Sequence, residues 1–216
     1  MKIEKRSYCD VCRYPRVTCV CDVLEKAGER KISPKSRITI LQDIKESKSA
    51  KNTVRLIPLC FDSVDVFVSD SKGFFEKEKY ILEKSRSDGW HIFLVYPNEK
   101  STLMTDLIEG VNTSAFRKFD EKKQLNKIHL VFIDATWRRA YRLWKLNGWL
   151  SSIQSVHFEN IKSQYSIRKA KHESYLSTIE AVVHGLNIIE PQLDTDIVIE
   201  LFKKMQSYFL HYKNFE

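Results

Sequence analysis

The sequence predicts an α/β protein in which helices cover both faces of a mostly parallel β-sheet, with a small zinc knuckle at the amino-terminal end. Short runs rich in β-branched and aromatic residues alternate with longer segments of helical period along the main body of the chain. Four of the five cysteines fall within residues 9–21. We therefore divide the chain into a knuckle and connector at 1–36 and a main domain at 37–216.

The cysteines of the knuckle form two close pairs, Cys9-Asp-Val-Cys12 and Cys19-Val-Cys21. In a reducing compartment such clusters are more often metal sites than disulfides, and four thiolates suit tetrahedral zinc. A redox pair at Cys9 and Cys12, or a cluster of thiols without a metal, are the alternatives. Four protein ligands leave no open position on the ion, so the predicted zinc is structural.

A polar connector is predicted at 22–36, and the main domain then alternates between strands and helices. Strands are predicted at 37–41, 64–68, 90–95, 129–133 and 154–158, and helices at 50–56, 75–84, 137–148, 176–189 and 194–211. The polar segment 98–127 has weak periodicity and is either a lid over a site or a disordered insertion.

Composition and charge narrow the classes of protein to which the chain can belong. No run approaches the roughly 18 apolar residues that span a bilayer, and the amino terminus lacks the apolar core of a secretion signal, so we expect a cytosolic protein without membrane contacts. Lys and Arg outnumber Asp and Glu by 36 to 28, which gives a net charge of +8. A basic balance often means only a cationic surface, but here cations cluster at 138–145 and 168–171, which is typical of nucleic-acid binding.

The segment Asp134-Ala135-Thr136-Trp137 joins a predicted buried strand directly to a predicted helix. Ligand crevices of open α/β sheets lie beyond the carboxyl ends of the strands, so Asp134 stands where a substrate is expected. Alternatively, Asp134 and Thr136 only cap the helix. The helical period gives this helix an apolar face and a cationic face. The apolar face carries Trp137, Ala140, Tyr141 and Trp144, and the cationic face carries Arg138, Arg139, Arg142 and Lys145.

A second group of polar residues opens the next predicted helix. Ser177 or Thr178 can cap that helix, and Glu180 in its first turn complements the helix dipole. Alternatively, the helix start offers free amides and hydroxyls to a ligand's carboxylate or ribose. At the end of an earlier strand, Tyr96 and Pro97 form a turn in which the tyrosine either stacks on a purine or closes the core.

Several separated motifs, in order from Tyr8 to about Leu186, carry a resemblance to a known family. They are Cys9-x-x-Cys12 with Cys19-x-Cys21; Asn52-Thr53, Arg55-Leu56 and Pro58-Leu59; Leu94 to Pro97; Asp134 to Ala140; and Tyr165-x-Ile167-Arg168 with Leu176 to Ala181. Together they resemble the DTW-domain proteins, which are tRNA-uridine aminocarboxypropyltransferases related to the SPOUT superfamily. The polar insert at 98–127, and an Ile where many relatives have Leu before the motif glutamate, depart from the family pattern.

The resemblance implies transfer of the 3-amino-3-carboxypropyl group of S-adenosylmethionine to N3 of a tRNA uridine. It also implies a carboxy-terminal trefoil knot that folds around the donor, and it makes the main domain a DTW catalytic domain. Asp134 is then the candidate base that removes the N3 proton, and we expect partial burial to raise the pKa of this carboxyl.

The remaining site assignments follow from the same resemblance. The donor is expected to contact Tyr96, Pro97, Thr136, Leu176, Ser177 and Thr178, and its ammonium group is expected to contact Glu180. The tRNA phosphates are expected to contact Arg138, Arg139, Arg142, Arg168 and Lys169. Two other functions remain open: an RNA methyltransferase that uses the same fold and the same donor, and a zinc-knuckle RNA-binding protein without enzymatic activity.

Overall fold

The computed structural model describes residues 7–28, 31–106, 127–167 and 175–213. Within these residues, six strands form one sheet in the order β2-β1-β5-β3-β6-β4, and every neighbouring pair is parallel. The strands are β1 (Arg37–Gln42), β2 (Val64–Val68), β3 (His91–Val95), β4 (Thr102–Leu103), β5 (Ile128–Asp134) and β6 (Gln154–His157). All five predicted strands are confirmed, each to within one residue at either end.

The helices that the structure describes lie between and after these strands. They are α1 (Cys21–Lys26), α2 (Ile44–Ser47), α3 (Ile57–Cys60), α4 (Glu76–Ser87), α5 (Trp137–Leu146), α6 (Thr178–Ile189) and α7 (Asp196–Lys213), with 3-10 turns at Arg16–Thr18, Val54–Leu56 and Gly148–Ser152. None of the helices in these ranges combines the length and the apolar composition that crossing a bilayer requires.

The central strand β5 shows how the two faces of the sheet are covered. Leu130 and Phe132 point into one core, which contains side chains of α6 and α7. Val131, which points to the opposite face, packs in a second core with side chains of α4 and α5. Successive side chains of a strand alternate between faces, so an uninterrupted apolar run is buried on both sides. The predicted α/β architecture with helices on both faces is therefore confirmed.

The predicted helix at 50–56 is wrong. Residues 50–53 form turns and bends, and helical structure begins only at Val54. The reason is Asn52, whose side-chain oxygen accepts a hydrogen bond from the Val54 amide at 2.9 Å. Such local side-chain bonds compete with the helix hydrogen bonds of the backbone.

Two further predictions about loops need correction. The predicted connector at 22–36 contains most of α1, because Val23 packs into the core that contains α6 and α7. The polar segment at 98–127 contributes the two-residue strand β4, which pairs with the edge of β6. Residues 107–126 of that segment lie outside the described residues, so the lid and the disordered insertion both stay predictions.

Candidate active site and metal cluster

The carboxylate of Asp134 lies at the carboxyl end of β5 and is 6% exposed. Its Oδ2 accepts a hydrogen bond from Nε2 of Gln42 at 2.8 Å, and its Oδ1 accepts one from Oγ1 of Thr178 at 2.5 Å. The N-cap residue of α5 is Thr136, so Asp134 does not occupy the capping position. Asp134 instead joins the ends of β1 and β5 to the first residue of α6.

The register of the sheet explains this meeting of distant residues. Gln42 is the Cα partner of Asp134 in the parallel pairing of β1 with β5, and the amide of Asp43 donates to the Asp134 carbonyl at 2.9 Å. Parallel strands end at the same edge of a sheet, so polar residues that close neighbouring strands come together there.

Two adjacent clefts open at this edge. The first, which we call the Tyr96 cleft, has a volume of about 140 Å³, and its lining includes Tyr96, Pro97, Val156 and Phe158. The second, the Asp134 cleft, has a volume of about 520 Å³ and a lining with several charged side chains; it includes Glu46, Lys51, Thr53, Asp134, Arg138 and Tyr175. The residues common to both clefts are Ala135, Trp137, Leu176 and Thr178. The two spaces are therefore separated only by a thin shared wall beside Asp134.

The residues predicted to hold the donor divide between these clefts. Tyr96 and Pro97 line the Tyr96 cleft alone, whereas Thr136 and Ser177 line the Asp134 cleft alone. Leu176 and Thr178, as part of the shared wall, line both. The Tyr96 ring is 7% exposed, and burial raises the pKa of its hydroxyl.

Glu180 forms a capping box with Ser177, the N-cap residue of α6. The Glu180 carboxylate accepts from the Ser177 amide at 2.7 Å and the Ser177 hydroxyl at 2.6 Å. It also accepts from the Ser163 hydroxyl at 2.9 Å and the Gln164 amide at 2.5 Å. These bonds favour the capping alternative over contact with a ligand's ammonium, because they engage both carboxylate oxygens in holding residues 163–164 against the helix.

The predicted RNA-contacting cations lie in different settings. Arg138 lines the Asp134 cleft, and Arg142 is exposed and donates to the Lys72 carbonyl at 3.3 Å. Arg139 lies 3.5 Å from the carboxylate of Asp43. Arg168 and Lys169 lie outside the described residues.

Gln42 and Asn52 are functional candidates that the sequence analysis missed. Nε2 of Gln42 lies 3.3 Å from the side-chain oxygen of Asn52 as well as 2.8 Å from Asp134. The Asn52 carbonyl in turn accepts from the hydroxyl of Tyr14 at 3.1 Å. Burial raises the pKa of Tyr14 to about 12, so its hydroxyl stays protonated as a donor. One sequence signal was present: Gln42 is a polar residue that closes an apolar strand.

Tyr14 belongs to the loop that carries the four cysteines. The Sγ atoms of Cys9, Cys12, Cys19 and Cys21 all lie within 4.8 Å of one another, and the Cys9–Cys21 and Cys12–Cys19 pairs are separated by 3.7 and 3.6 Å. Four sulfurs about 2.3 Å from a tetrahedral ion stand about 3.8 Å apart, so this cluster can hold a metal ion.

The cysteine loop packs directly against the rest of the protein. Cys12 and Tyr14 are buried in the core that contains α6 and α7. The hydroxyl of Tyr208 on α7 donates to the Cys19 carbonyl at 3.0 Å. Amides of Cys12 and Val11 lower the pKa of Cys9 to about 6, which favours its thiolate form, whereas burial raises the pKa of Cys19 and of Cys21.

The DTW domain matches residues 6–210. The chain is 27% identical over 198 residues to tRNA-uridine aminocarboxypropyltransferase 2 of Drosophila melanogaster, which covers 90% of this chain and 72% of that protein. It is 25% identical over 188 residues to the protein of the same name from Mus musculus, covering 87% of this chain and 58% of the mouse protein. No solved structure gives a significant match. Because the domain match extends over nearly the whole sequence, the chain belongs to the DTW-domain family.

Proposed function

We propose that this protein is a tRNA-uridine aminocarboxypropyltransferase that transfers the 3-amino-3-carboxypropyl group of S-adenosylmethionine to N3 of a uridine in tRNA. Membership of the DTW-domain family and the names of the relatives support this activity. The observation that carries it is the position of Asp134, a buried carboxylate at a strand end beside the wall between two clefts. Two reactants bound in the two clefts would meet next to this carboxylate.

The shapes of the clefts indicate which reactant each would take. The Tyr96 cleft is small and lined mostly by apolar and aromatic residues, and it suits the adenosine end of the donor, with Tyr96, Pro97 and Leu176 as walls. The Asp134 cleft is larger and carries both cationic and hydroxyl side chains, and it suits a uridine with its phosphate. Thr136, Ser177 and Thr178 would contact the amino-acid arm of the donor where it reaches the shared wall.

The reaction requires removal of the proton on uridine N3, because the protonated imide is a poor nucleophile. Asp134 takes that proton. The lone pair left on N3 forms a bond to Cγ of the aminocarboxypropyl arm while the bond from Cγ to sulfur breaks, and methylthioadenosine leaves. The hydrogen bonds from Gln42 and Thr178 hold the carboxylate of Asp134 in place at the wall between the two clefts.

Selection of the longer arm over the methyl group depends on geometry, because the sulfonium activates every carbon attached to it. In-line attack requires the reacting carbon to lie close to N3 with its bond to sulfur pointing away. The shared wall beside Asp134 would impose this by letting only one substituent of the sulfonium reach the uridine.

The same proposal covers the parts of the chain around the site. The tRNA phosphates would contact Arg138, Arg139 and Arg142, with Arg168 and Lys169 as further expected contacts. Zn²⁺ is the metal we assign to the cysteine cluster, where four thiolates would hold it and its charge would stabilise the folded loop. The knuckle and connector would occupy 1–36, and the catalytic domain would occupy 37–216. The protein would act in the cytosol. The all-parallel sheet with its crossovers supports a SPOUT-type fold with a carboxy-terminal knot, which an experimental structure with bound donor would test.

Mass spectrometry of tRNA incubated with the purified protein and S-adenosylmethionine tests the proposal. We expect a uridine that carries the aminocarboxypropyl group, together with methylthioadenosine as by-product. A methylated base with S-adenosylhomocysteine would instead make the protein a methyltransferase. Calorimetry that detects tRNA binding but no donor binding would make it a non-enzymatic RNA-binding protein.

A further inference from the structure

Helix α5 exposes two aromatic rings that belong to the apolar face predicted from the helical period. Trp137 is 40% exposed and Tyr141 is 55% exposed, whereas Ala140 and Leu143 are the residues that α5 buries. The apolar face thus turns toward Leu143 and leaves the two rings at the surface. Neighbouring large rings in water are an unfavourable arrangement for a helix that only packs against a sheet, and they indicate a binding surface.

The exposed rings are the outer part of a connected aromatic cluster. The ring centroids of Trp137 and Tyr175 are 4.2 Å apart, and those of Tyr141 and Trp144 are 6.1 Å apart. The buried Tyr96 connects the two pairs, at 6.4 Å from Trp137 and 5.9 Å from Trp144. Rings held by other rings lose little conformational freedom when a ligand stacks on them. The surface is therefore preorganised, and it extends from the mouth of the clefts along α5.

Cationic side chains follow the same helix beside these rings. Arg138, Arg142 and Lys145 are exposed, and α5 contains no acidic residue. The Lys145 ammonium lies 4.6 Å from the centre of the Trp144 ring and 5.5 Å from that of Tyr141. Planar rings for bases next to cations for phosphates are the two features that bind single-stranded nucleic acid. A duplex would not offer its bases in this way, because they are stacked inside the helix.

We infer that α5 is a platform for single-stranded RNA. The nucleotides that flank the target uridine stack on Trp137 and Tyr141, which lie one helical turn apart, about 6 Å along the axis. Arg138, Arg142 and Lys145 contact the phosphates of the same strand. The identity of the target uridine rests on the proposed function, but the binding itself can be measured without any transfer.

The test compares variants of Tyr141, which lies outside the lining of both clefts, by fluorescence anisotropy with a labelled oligouridylate. Tyr141→Leu should weaken binding by about 5- to 150-fold, the loss typical of one base–aromatic stack, with the salt dependence unchanged. Tyr141→Phe keeps the ring and should retain wild-type affinity. Tyr80→Leu, which removes a ring that is 68% exposed on α4, is the matched control and should have no effect. Arg142→Gln should instead change the salt dependence. In a plot of the logarithm of the binding constant against the logarithm of salt concentration, the slope should become about one less steep.

The results separate the platform from the proposed activity. The platform is overturned if Tyr141→Leu binds the oligonucleotide as wild type does while melting normally, if Tyr141→Phe loses as much as Tyr141→Leu, or if duplex RNA of equal length binds as tightly. One outcome is that the wild-type protein transfers the group to tRNA and the Tyr141→Leu variant has the same KM for tRNA. This outcome would refute the platform and leave the proposed activity standing. Binding that depends on Tyr141, in a wild-type protein that makes no modified uridine, would refute the activity and leave the platform standing.

Discussion

Replacement of Asp134 by asparagine tests the proposed chemistry with the smallest change in shape. The amide has nearly the size of the carboxylate, but it cannot remove a proton from the uridine imide. Both contacts can survive, because the new amide oxygen can accept from Nε2 of Gln42 while the new NH₂ group donates to the hydroxyl oxygen of Thr178. Gln42 keeps its orientation, in which Nε2 also faces the side-chain oxygen of Asn52.

The substitution affects both the stability of the fold and the rate of transfer. Loss of one buried hydrogen bond to a charged acceptor costs about 1.5–3 kcal/mol in the free energy of unfolding, which for a chain of this length lowers the melting temperature by about 3–12 °C. Asp134→Asn keeps both hydrogen bonds and loses only the charge, so its melting temperature should fall by less than this. Loss of a general base lowers kcat by about 100- to 10,000-fold. Affinity for S-adenosylmethionine should change little, because Asp134 is not part of the Tyr96 cleft lining.

The assay is single-turnover transfer to tRNA at saturating donor, read by mass spectrometry, with melting curves for each variant. Gln42→Met is the matched control, because it removes the hydrogen bond from Nε2 to Asp134 while the carboxylate of Asp134 remains. It should lose the full amount of about 3–12 °C in melting temperature but show a much smaller loss of rate than Asp134→Asn. If Asp134→Asn retains a rate within about tenfold of wild type, Asp134 is not the base and the mechanism is refuted.

Three other predictions concern the cationic face, the cysteine cluster and a buried histidine. Arg138→Glu combined with Arg139→Glu should weaken tRNA binding far more at low salt than at high salt, and unchanged affinity would place the phosphates elsewhere. Cys12→Ser should abolish stoichiometric zinc in metal analysis and lower the melting temperature, because the Cys12 side chain lies in the core that contains α6 and α7. A metal-free wild-type protein would refute the zinc assignment. Burial, with a smaller effect of Arg37, lowers the pKa of His129 to about 4, whereas in the unfolded chain it has the usual value of about 6.5. As the pH falls below about 6.5 the unfolded state therefore takes up the proton first, so chemical denaturation should show up to about 3 kcal/mol less stability by pH 4, and His129→Gln should remove that part of the pH dependence.

Local sequence patterns predicted the strands well and the helix surfaces less well. A buried strand of a parallel sheet is apolar on both faces, so the run at 129–133 predicts a strand however the helices are arranged. A helical period also predicts that α5 is a helix, but not how far it is turned about its own axis. The arrangement with Leu143 buried and Tyr141 exposed depends on the shape of the core beneath the helix.

Asn52 shows a different limit of local patterns. The helical period at 50–56 is real, but the Asn52 side chain bonds to the backbone and to Gln42, and helical structure begins later. Whether such a side chain competes with a helix depends on partners that the period does not contain. The sequence accordingly predicted Asp134 as a site residue and missed the two residues that connect it to Tyr14.

By itself, the sequence determined the α/β class, the strand-to-helix corner at Asp134 and a cysteine spacing that suits a metal, because each depends on residues close together in the chain. Only the tertiary structure decided which groups surround Asp134, since Gln42 and Thr178 are 92 and 44 residues away from it. It also decided that the cysteine loop is connected to this carboxylate by hydrogen bonds through Tyr14, Asn52 and Gln42. Contacts of this kind depend on the register of parallel strands and on the packing of both cores at once, and neither is encoded within a short segment.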